Sequence, residues 1–292
     1  MEIREVHDEL IEPVRKFLAS REGFRGNWDG LFNYSWKMAG YPYGYAILDQ
    51  DKVAAFVGTI FSERISDGER SVVCNLTTWY VEDAYRHQRL GLLVLKPILA
   101  RENLFITSLT PGEATRRILE QLGFQLLEGE QIVVPILPEM TSFLRKRRTG
   151  VSISFDKAQI REHLNPPERR ILEDHSNLAC RQFLINEEST GRHCYGVATT
   201  TPLGRFQFLN AQWLNLCYLS DPPLFARNFR FIARDLWLEG RFVLLRYDAR
   251  LLPSRVSRME SRKPKTRQFK SARSSSPTLD NLYSELVTFN KY

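Results

Sequence analysis

The sequence has few cysteines and no long apolar run. Its four cysteines form no CxxC pair and have no histidine nearby at metal-binding spacing, so neither a disulfide framework nor a zinc site is expected. The most apolar stretch, 90–100, is broken by Lys96 and Pro97 and is far shorter than the roughly 18 apolar residues of a membrane-spanning helix. The first ten residues are charged and polar, unlike a secretory signal. These absences predict a cytoplasmic protein without a transmembrane segment.

The composition predicts a folded protein of two domains. The 292 residues are 43% hydrophobic, 12% aromatic and 26% charged, which excludes a wholly disordered chain. The length corresponds to two domains of ordinary size. The formal net charge is +7, and residues 254–275 carry all of this excess, with eight basic residues and one acidic residue. A basic excess confined to one segment does not indicate a nucleic-acid-binding surface on a folded element.

The hydrophobic pattern predicts two halves with a similar plan. The first half has a helix, three strands, a second helix, a strand and a third helix that ends at Gly123, and the second half repeats this order more loosely. We therefore predict a first domain over 1–143 and a second, degenerate domain over 150–252. A basic flexible tail over 253–278 and a C-terminal helical segment over 279–292 are expected to follow. The tail is interpreted as a solvated linker or as a binding segment for an anionic partner.

One strand-loop-helix segment, 79–93, suggests an anion site. The amides of the first helical turn have no partner within the helix and point outward with the positive end of the helix dipole. They form a natural cradle for a pyrophosphate, to which Arg86 and Arg89 add charge and Gly91 allows close approach. The alternative is an ordinary strand-to-helix turn with solvated arginines.

The surrounding residues decide between these alternatives. The run Arg86-His87-Gln88-Arg89-Leu90-Gly91 resembles the acyl-CoA-binding signature of the GCN5-related N-acetyltransferases (GNAT), and 113–124 is similar to the last helix of that family. The resemblance extends over about 43–136. It implies an α+β (mixed α/β) fold, in which two tandem GNAT-like modules each contain a mixed, mainly antiparallel sheet flanked by helices.

The resemblance also implies a site and a donor substrate. The strand Asn75–Val81 would separate from Leu104–Leu109, and the pantetheine arm of acetyl-CoA or another acyl-CoA would lie in the gap. No metal and no catalytic residue is assigned. The expected acyl-CoA-binding residues are Tyr80, Val81, Arg86, His87, Gln88, Arg89, Leu90, Gly91 and Leu92.

Two positions depart from the family pattern. Arg89 stands where the family has the first loop glycine, and Leu119 stands where it commonly has a tyrosine acid. A leucine cannot protonate a leaving thiolate. The loop 23–45 is expected to receive the acceptor or, alternatively, to close the core with its aromatic rings. Its candidate residues are Trp28, Asn33, Tyr34, Trp36, Tyr41 and Tyr43.

The expected function is N-acyl transfer, most simply acetyl transfer, to a small amine or amino sugar. The run Leu282–Leu286 is similar to that of two-module chains associated with polysaccharide biosynthesis. Nucleic acid is not an expected partner, and the oligomeric state is left open. The alternative is a catalytically inactive GNAT-fold binding or scaffold protein whose basic tail holds an anionic partner.

Overall fold

The computed structural model describes residues 1–20, 28–66, 69–136, 150–204, 210–271 and 279–290. They form two compact units. Unit 1 comprises Met1–Leu127, Thr266–Leu279 and Tyr283–Phe289, and unit 2 comprises Glu128–Lys265, Asp280–Leu282 and Asn290–Tyr292. Each unit therefore includes segments that are distant in sequence.

The described residues contain helices and strands in a mixed order. The strands are β1 (Glu2–Glu5), β2 (Gly44–Asp49), β3 (Lys52–Ser66), β4 (Glu69–Val81), β5 (Leu104–Ser108), β6 (Gln125–Pro135), β7 (Val151–Ser154), β8 (Cys180–Glu187), β9 (Arg192–Pro202), β10 (Gln212–Leu219), β11 (Phe242–Asp248) and β12 (Ser261–Ser271). The helices are α1 (Asp8–Ala19), α2 (Asp29–Phe32), α3 (Leu90–Leu99), α4 (Glu113–Gln121), α5 (Lys157–His163), α6 (Pro166–Asp174), α7 (Pro222–Gly240) and α8 (Glu285–Thr288).

Unit 1 is a mixed sheet in the order β1-β2-β3-β4-β5-β12. All neighbours are antiparallel except β4 and β5, which are parallel and need a crossover helix between them. That helix is α3, which buries Leu90, Val94, Leu95 and Ile98 in the core of the unit. Helix α1 buries Leu10, Val14, Phe17 and Leu18 at helical spacing.

Unit 2 has the strand order β6-β11-β10-β9-β8-β7. Here β10 and β11 are the parallel pair, α7 is their crossover, and the remaining neighbours are antiparallel. The core lies between this sheet and α7, which buries Phe225, Phe229 and Ile232. The predicted mixed α/β fold is confirmed. The description of the units as tandem modules with limits at 143, 150 and 252 stays a prediction.

The predicted flexible tail over 253–278 is wrong in its central part. Residues 261–271 form β12, and 268–271 pair with β5 in unit 1. Arg267, Gln268 and Phe269 are buried, and the ring of Phe269 stacks on Phe105 at 5.2 Å. The basic side chains mark the exposed beginning of the strand, while ladder hydrogen bonds and one aromatic ring hold its end. Residues 272–278, and the basic run at 144–148, lie outside the described residues.

Of the predicted C-terminal helical segment over 279–292, residues 279–290 are described, and they contain one short helix, α8. Its flanking residues Leu279 and Leu282 are buried. No helix among the described residues is long and apolar enough to cross a membrane.

Candidate functional site

In unit 1 the pairing of the parallel strands β4 and β5 ends before β4 itself ends. Their register runs from Val72–Leu104 to Leu76–Ser108 and ends there. The antiparallel register of β4 with β3 continues to Ala55–Val81. The two strands therefore form a fork whose arms begin at Leu76 and Ser108, as the resemblance implied for this pair.

A β-bulge lies in β4 just beyond the fork. The register with β3 shifts between Phe56 and Gly58, where β4 has one residue more than its neighbour. Thr78 takes a positive φ of 50° at this point, which is uncommon for a β-branched residue. Bulges bend a strand and re-aim its groups, and this one lies directly after the last β4–β5 pair.

The backbone hydrogen bonds of β4 show which of its amides and carbonyls face the gap between β4 and β5. The amide of Glu82 donates to the carbonyl of Ala54 at 2.9 Å, on the β3 side. Because alternate residues of a strand present their backbone groups to opposite edges, Tyr80 also faces β3, and Val81 faces the β5 side. Of the two predicted strand residues, Val81 is therefore the one that offers an amide and a carbonyl to a molecule in the gap. The Tyr80 ring packs edge-on against Phe17 at 5.8 Å.

The loop after β4 leads directly into the N-terminus of α3. Asp83–Gln88 form a 3₁₀ segment, and Arg89 is the N-cap in the left-handed conformation. The amides of Leu92 and Leu93 both donate to the carbonyl of Arg89, and no side chain caps this end. The amides of Leu90 and Gly91 thus have no acceptor among the residues described, as expected at the first turn of a helix.

The charged side chains of this loop differ in their availability. Arg86 forms an ion pair with Asp83 at 2.7 Å, and both are exposed. The Arg89 side chain is exposed, and it forms no hydrogen bond or ion pair with the described part of the chain. His87 and Gln88 are exposed as well. Arg89 is therefore the cation best placed to meet an anion at the start of α3.

The remaining predicted residues belong to α3. The Leu90 side chain is buried in the core of unit 1, so only its backbone is available to a ligand. Leu92 is partly exposed. Gly91 packs against β4: a Cβ at this position would lie 3.4 Å from Trp79 Nε1 and from Val81 Cγ2. Trp79 Nε1 also donates to the Gly91 carbonyl at 3.1 Å. Gly91 thus brings α3 close to β4.

Some groups at the fork were missed by sequence reasoning. No glycine lies beside Thr78 in the sequence to indicate a bulge. Nothing in the sequence indicated that the Trp79 indole would form a hydrogen bond with α3. Asn75 lies one residue before the end of the β4–β5 register and donates to the Thr107 hydroxyl at 3.1 Å. The only signal for Asn75 was a polar residue inside an apolar strand.

Unit 2 contains a similar fork that the chain itself occupies. The β10–β11 register ends at Asn215–Arg246, and β10 has a bulge at Cys217. The amide of Asn281 donates to the Cys217 carbonyl at 3.0 Å. A segment of this unit therefore forms a hydrogen bond at the place where a pantetheine arm would lie.

The helix that follows β10 also lacks an open amide cradle. Pro222 and Pro223 are its first residues, and proline has no N–H. The Asp221 carboxylate accepts a hydrogen bond from the Leu224 amide at 3.0 Å. Its negative charge stands where a phosphate would have to bind. The two helix starts are thus chemically opposite.

The aromatic residues of the predicted acceptor loop are mostly packed. Trp28, Tyr34 and Trp36 are buried; Trp36 lies edge-on to Tyr283 at 5.0 Å, and burial raises the pKa of the Tyr34 hydroxyl. Tyr41 and Tyr43 are half-buried and Asn33 is exposed, while residues 23–27 lie outside the described part. The buried rings favour the alternative of core packing.

The remaining candidates for chemistry lie elsewhere. Leu119 is fully buried in the core of unit 1, so its side chain contacts other apolar residues. All four cysteines are free, and burial raises the pKa of Cys74 and Cys194. Among the described residues, no group of three histidine, cysteine, aspartate or glutamate side chains is placed to hold a metal ion.

Comparisons with known proteins identify the fold. No protein-family model matches the sequence, and no curated protein matches it. A GCN5-related N-acetyltransferase from Anabaena variabilis is similar in structure with a TM-score of 0.57 and 12% identity over 92% of this chain and 72% of its own. A putative acetyltransferase from Pyrococcus horikoshii has a TM-score of 0.53 and 12% identity over 97% of this chain and 94% of its own.

A third solved structure contains a bound donor substrate. It is Saccharomyces cerevisiae N-myristoyltransferase with bound myristoyl-CoA, with a TM-score of 0.50 and 12% identity over 97% of this chain and 84% of its own. At these identities the similarity speaks for the fold alone. The chain therefore has the fold of the GCN5-related N-acetyltransferases.

Proposed function

We propose that unit 1 binds an acyl-CoA in the fork between β4 and β5 and transfers its acyl group to an amine. The observation that carries the proposal is the end of the β4–β5 register at Leu76–Ser108 while β4 remains paired with β3. Beyond Leu76, the edge of β4 that faces away from β3 is therefore unpaired within the described part of the chain. An extended ligand can bind there and add to the sheet like a further strand.

The parts of the donor match the parts of the site in order. The pyrophosphate lies at the amides of Leu90 and Gly91, where the helix dipole and the Arg89 side chain favour negative charge. The pantetheine arm runs along the backbone of Val81 toward the bulge. The thioester then lies near Thr78, where a backbone amide polarises its carbonyl. His87, Gln88 and Leu92 border the nucleotide end.

Catalysis at such a site depends mainly on holding the two reactants together, which supplies a large share of rate acceleration. We propose acetyl-CoA as the donor, with a longer acyl-CoA as the competing possibility, because the similar N-myristoyltransferase holds myristoyl-CoA. The acceptor is a small amine or amino sugar, with polysaccharide biosynthesis as one setting. The exposed Asn33 is a candidate contact for it. The half-buried rings of Tyr41 and Tyr43 already pack against Phe61 and Lys37, respectively.

The second candidate is a binding protein without turnover. It is favoured by the burial of Leu119, which leaves no acid at that helix position. The exposed basic residues at the start of β12 would then hold an anionic partner.

A titration of the melting temperature with acetyl-CoA, free CoA and myristoyl-CoA tests the proposal. A ligand that binds only the folded state stabilises it by about 2.7 kcal/mol at a hundred times its Kd. We expect a saturable rise with acetyl-CoA and a smaller one with CoA. Release of the CoA thiol in the presence of glucosamine then separates the enzyme from the binding protein. An unchanged melting temperature with all three ligands would contradict acyl-CoA binding in the fork and leave only the second candidate.

A further inference from the structure

A buried carboxylate lies next to the fork. Glu285 begins α8 and has a relative exposure of 1%. Its amide donates to Asn75 Oδ1 at 2.9 Å, and its Oε1 accepts from the Thr110 hydroxyl at 3.0 Å. Its Oε2 has no hydrogen-bond partner among the described residues. A buried carboxylate oxygen without a partner is costly, which calls for a role beyond packing.

The contacts of Glu285 place it where the donor's thioester is expected. Asn75 is in the second-last pair of the β4–β5 register. Thr110 follows Ser108, the last paired residue of β5, by two residues. Thr78, at the bulge, follows Leu76 by the same number. Thr110 and Thr78 therefore stand on opposite arms of the fork, each about 7 Å along the chain from its last pair.

Thr110 connects the buried acid to the outside. Thr110 is exposed, while the carboxylate to which its hydroxyl donates is buried. A hydroxyl can accept one proton while it donates another. A molecule that contacts Thr110 from the fork can therefore exchange a proton with Glu285 through the hydroxyl, without contacting Glu285 itself.

We propose that Glu285 takes up, through the Thr110 hydroxyl, the proton that the acceptor amine loses when it attacks the thioester. This inference rests on the proposed function. The nitrogen lone pair forms the C–N bond. The amine proton passes to Thr110 Oγ1 as the hydroxyl proton of Thr110 passes to Glu285 Oε1. The C–S bond then breaks, its electron pair leaves with sulfur, and the thiolate takes a proton from solvent. Thr110 touches the substrate, and Glu285 is the positioning residue behind it.

The electrostatic surroundings suit this role. Burial raises the pKa of the Glu285 carboxyl, and the hydrogen bond from Thr110 and the positive charge of buried Arg267 partly offset that effect. A raised pKa makes a carboxylate a stronger proton acceptor near neutral pH. Because the folded-state pKa lies above the unfolded value, the stability contributed by this group is present at low pH and is lost as the pH rises through the folded-state pKa. At neutral pH, Glu285→Gln should therefore melt no lower than the wild type.

Four variants test the relay. Glu285→Gln keeps an oxygen that accepts from Thr110 but cannot take a proton, and Thr110→Val removes the hydroxyl at nearly constant shape. Thr110→Ser restores the hydroxyl. Glu113→Gln changes an exposed acid of the same unit that pairs with Arg117 and serves as the control. Each variant is assayed for CoA thiol release from acetyl-CoA with glucosamine, and separately with spermidine, across pH.

The relay predicts that Glu285→Gln and Thr110→Val lower kcat by about 10² to 10⁴, the usual range for proton transfer by a positioned group. The acid limb of the kcat–pH profile should disappear in Glu285→Gln, while the rise in melting temperature with acetyl-CoA stays. Thr110→Ser should recover most of the turnover that Thr110→Val loses, and Glu113→Gln should behave like the wild type.

Each other result overturns the relay in a distinguishable way. Wild-type turnover and an unchanged pH profile in Glu285→Gln would refute it and leave the proposed transferase intact. A melting temperature raised by acetyl-CoA, with no thiol release from either amine by the wild type, would refute the relay and favour the binding protein. No effect of acetyl-CoA on the wild-type melting temperature would refute the proposed function itself.

Discussion

Arg89 combines an unusual backbone with an available charge. Arg89 has a left-handed backbone conformation. Glycine adopts this conformation at no steric cost, whereas arginine adopts it at a steric cost. The Arg89 side chain is exposed. We therefore propose that Arg89, which stands in place of the first loop glycine of the family pattern, binds a phosphate of the donor.

We predict that Arg89→Gln weakens CoA binding about ten- to a hundredfold, because a hydrogen bond to a charged group contributes roughly 1.5–3 kcal/mol. Arg86→Gln is the matched control, since Arg86 already pairs with Asp83, and it should weaken binding severalfold at most. Calorimetric titration with CoA measures both. Equal losses of CoA affinity in the two variants would contradict a specific role of Arg89 and would show that the total charge of the loop determines binding.

Val81 and Tyr80 provide a second matched pair. Val81→Pro removes an amide that faces the gap, so the β3 pairing should survive, whereas Tyr80→Pro removes one that faces β3. We expect Val81→Pro to stay folded and to bind acetyl-CoA about fivefold more weakly, given a value near 1 kcal/mol for a lost hydrogen bond. Tyr80→Pro should lower the melting temperature instead. Circular dichroism and titration separate the two, and undiminished binding by Val81→Pro would contradict the proposed path of the pantetheine arm.

Single elements show what the sequence reveals and what it hides. The helix at Asp8–Ala19 and the strands from β2 to β5 were predictable because their apolar residues recur at regular spacing and turn residues separate them. Strand β12 was hidden because its first half is basic and exposed, and its partner β5 lies more than 150 residues earlier. The loop of the candidate site was visible as a local motif, but the contacts of Asn75 and Thr110 with Glu285 join distant parts of the chain that no local pattern reveals.

The docking of β12 gives a stability prediction at this scale. Phe269→Ala should lower the free energy of unfolding by about 3–5 kcal/mol, the usual cost of truncating a buried phenylalanine. Lys263→Ala, in the exposed part of the same strand, should change it by less than about 0.5 kcal/mol. Urea denaturation followed by circular dichroism measures both values. A negligible effect of Phe269→Ala would mean that the strand does not hold unit 1 together.

At the scale of the whole molecule, two units share a strand order but differ in their forks. In unit 1 the helix after the fork starts with unpaired amides and an available arginine, whereas in unit 2 it starts with two prolines and a carboxylate cap. The unit 2 fork also contains the hydrogen bond from Asn281 to Cys217. These differences predict one acyl-CoA site per chain.

Hydrogen-exchange mass spectrometry of the full chain, with and without saturating acetyl-CoA, tests this claim most directly. Amides that bind a ligand exchange more slowly, and exchange is resolved along the sequence. We predict slower exchange in peptides that cover 77–92, with no change in peptides that cover 215–226. Protection of the second stretch, or of neither, would contradict a single acyl-CoA site between β4 and β5.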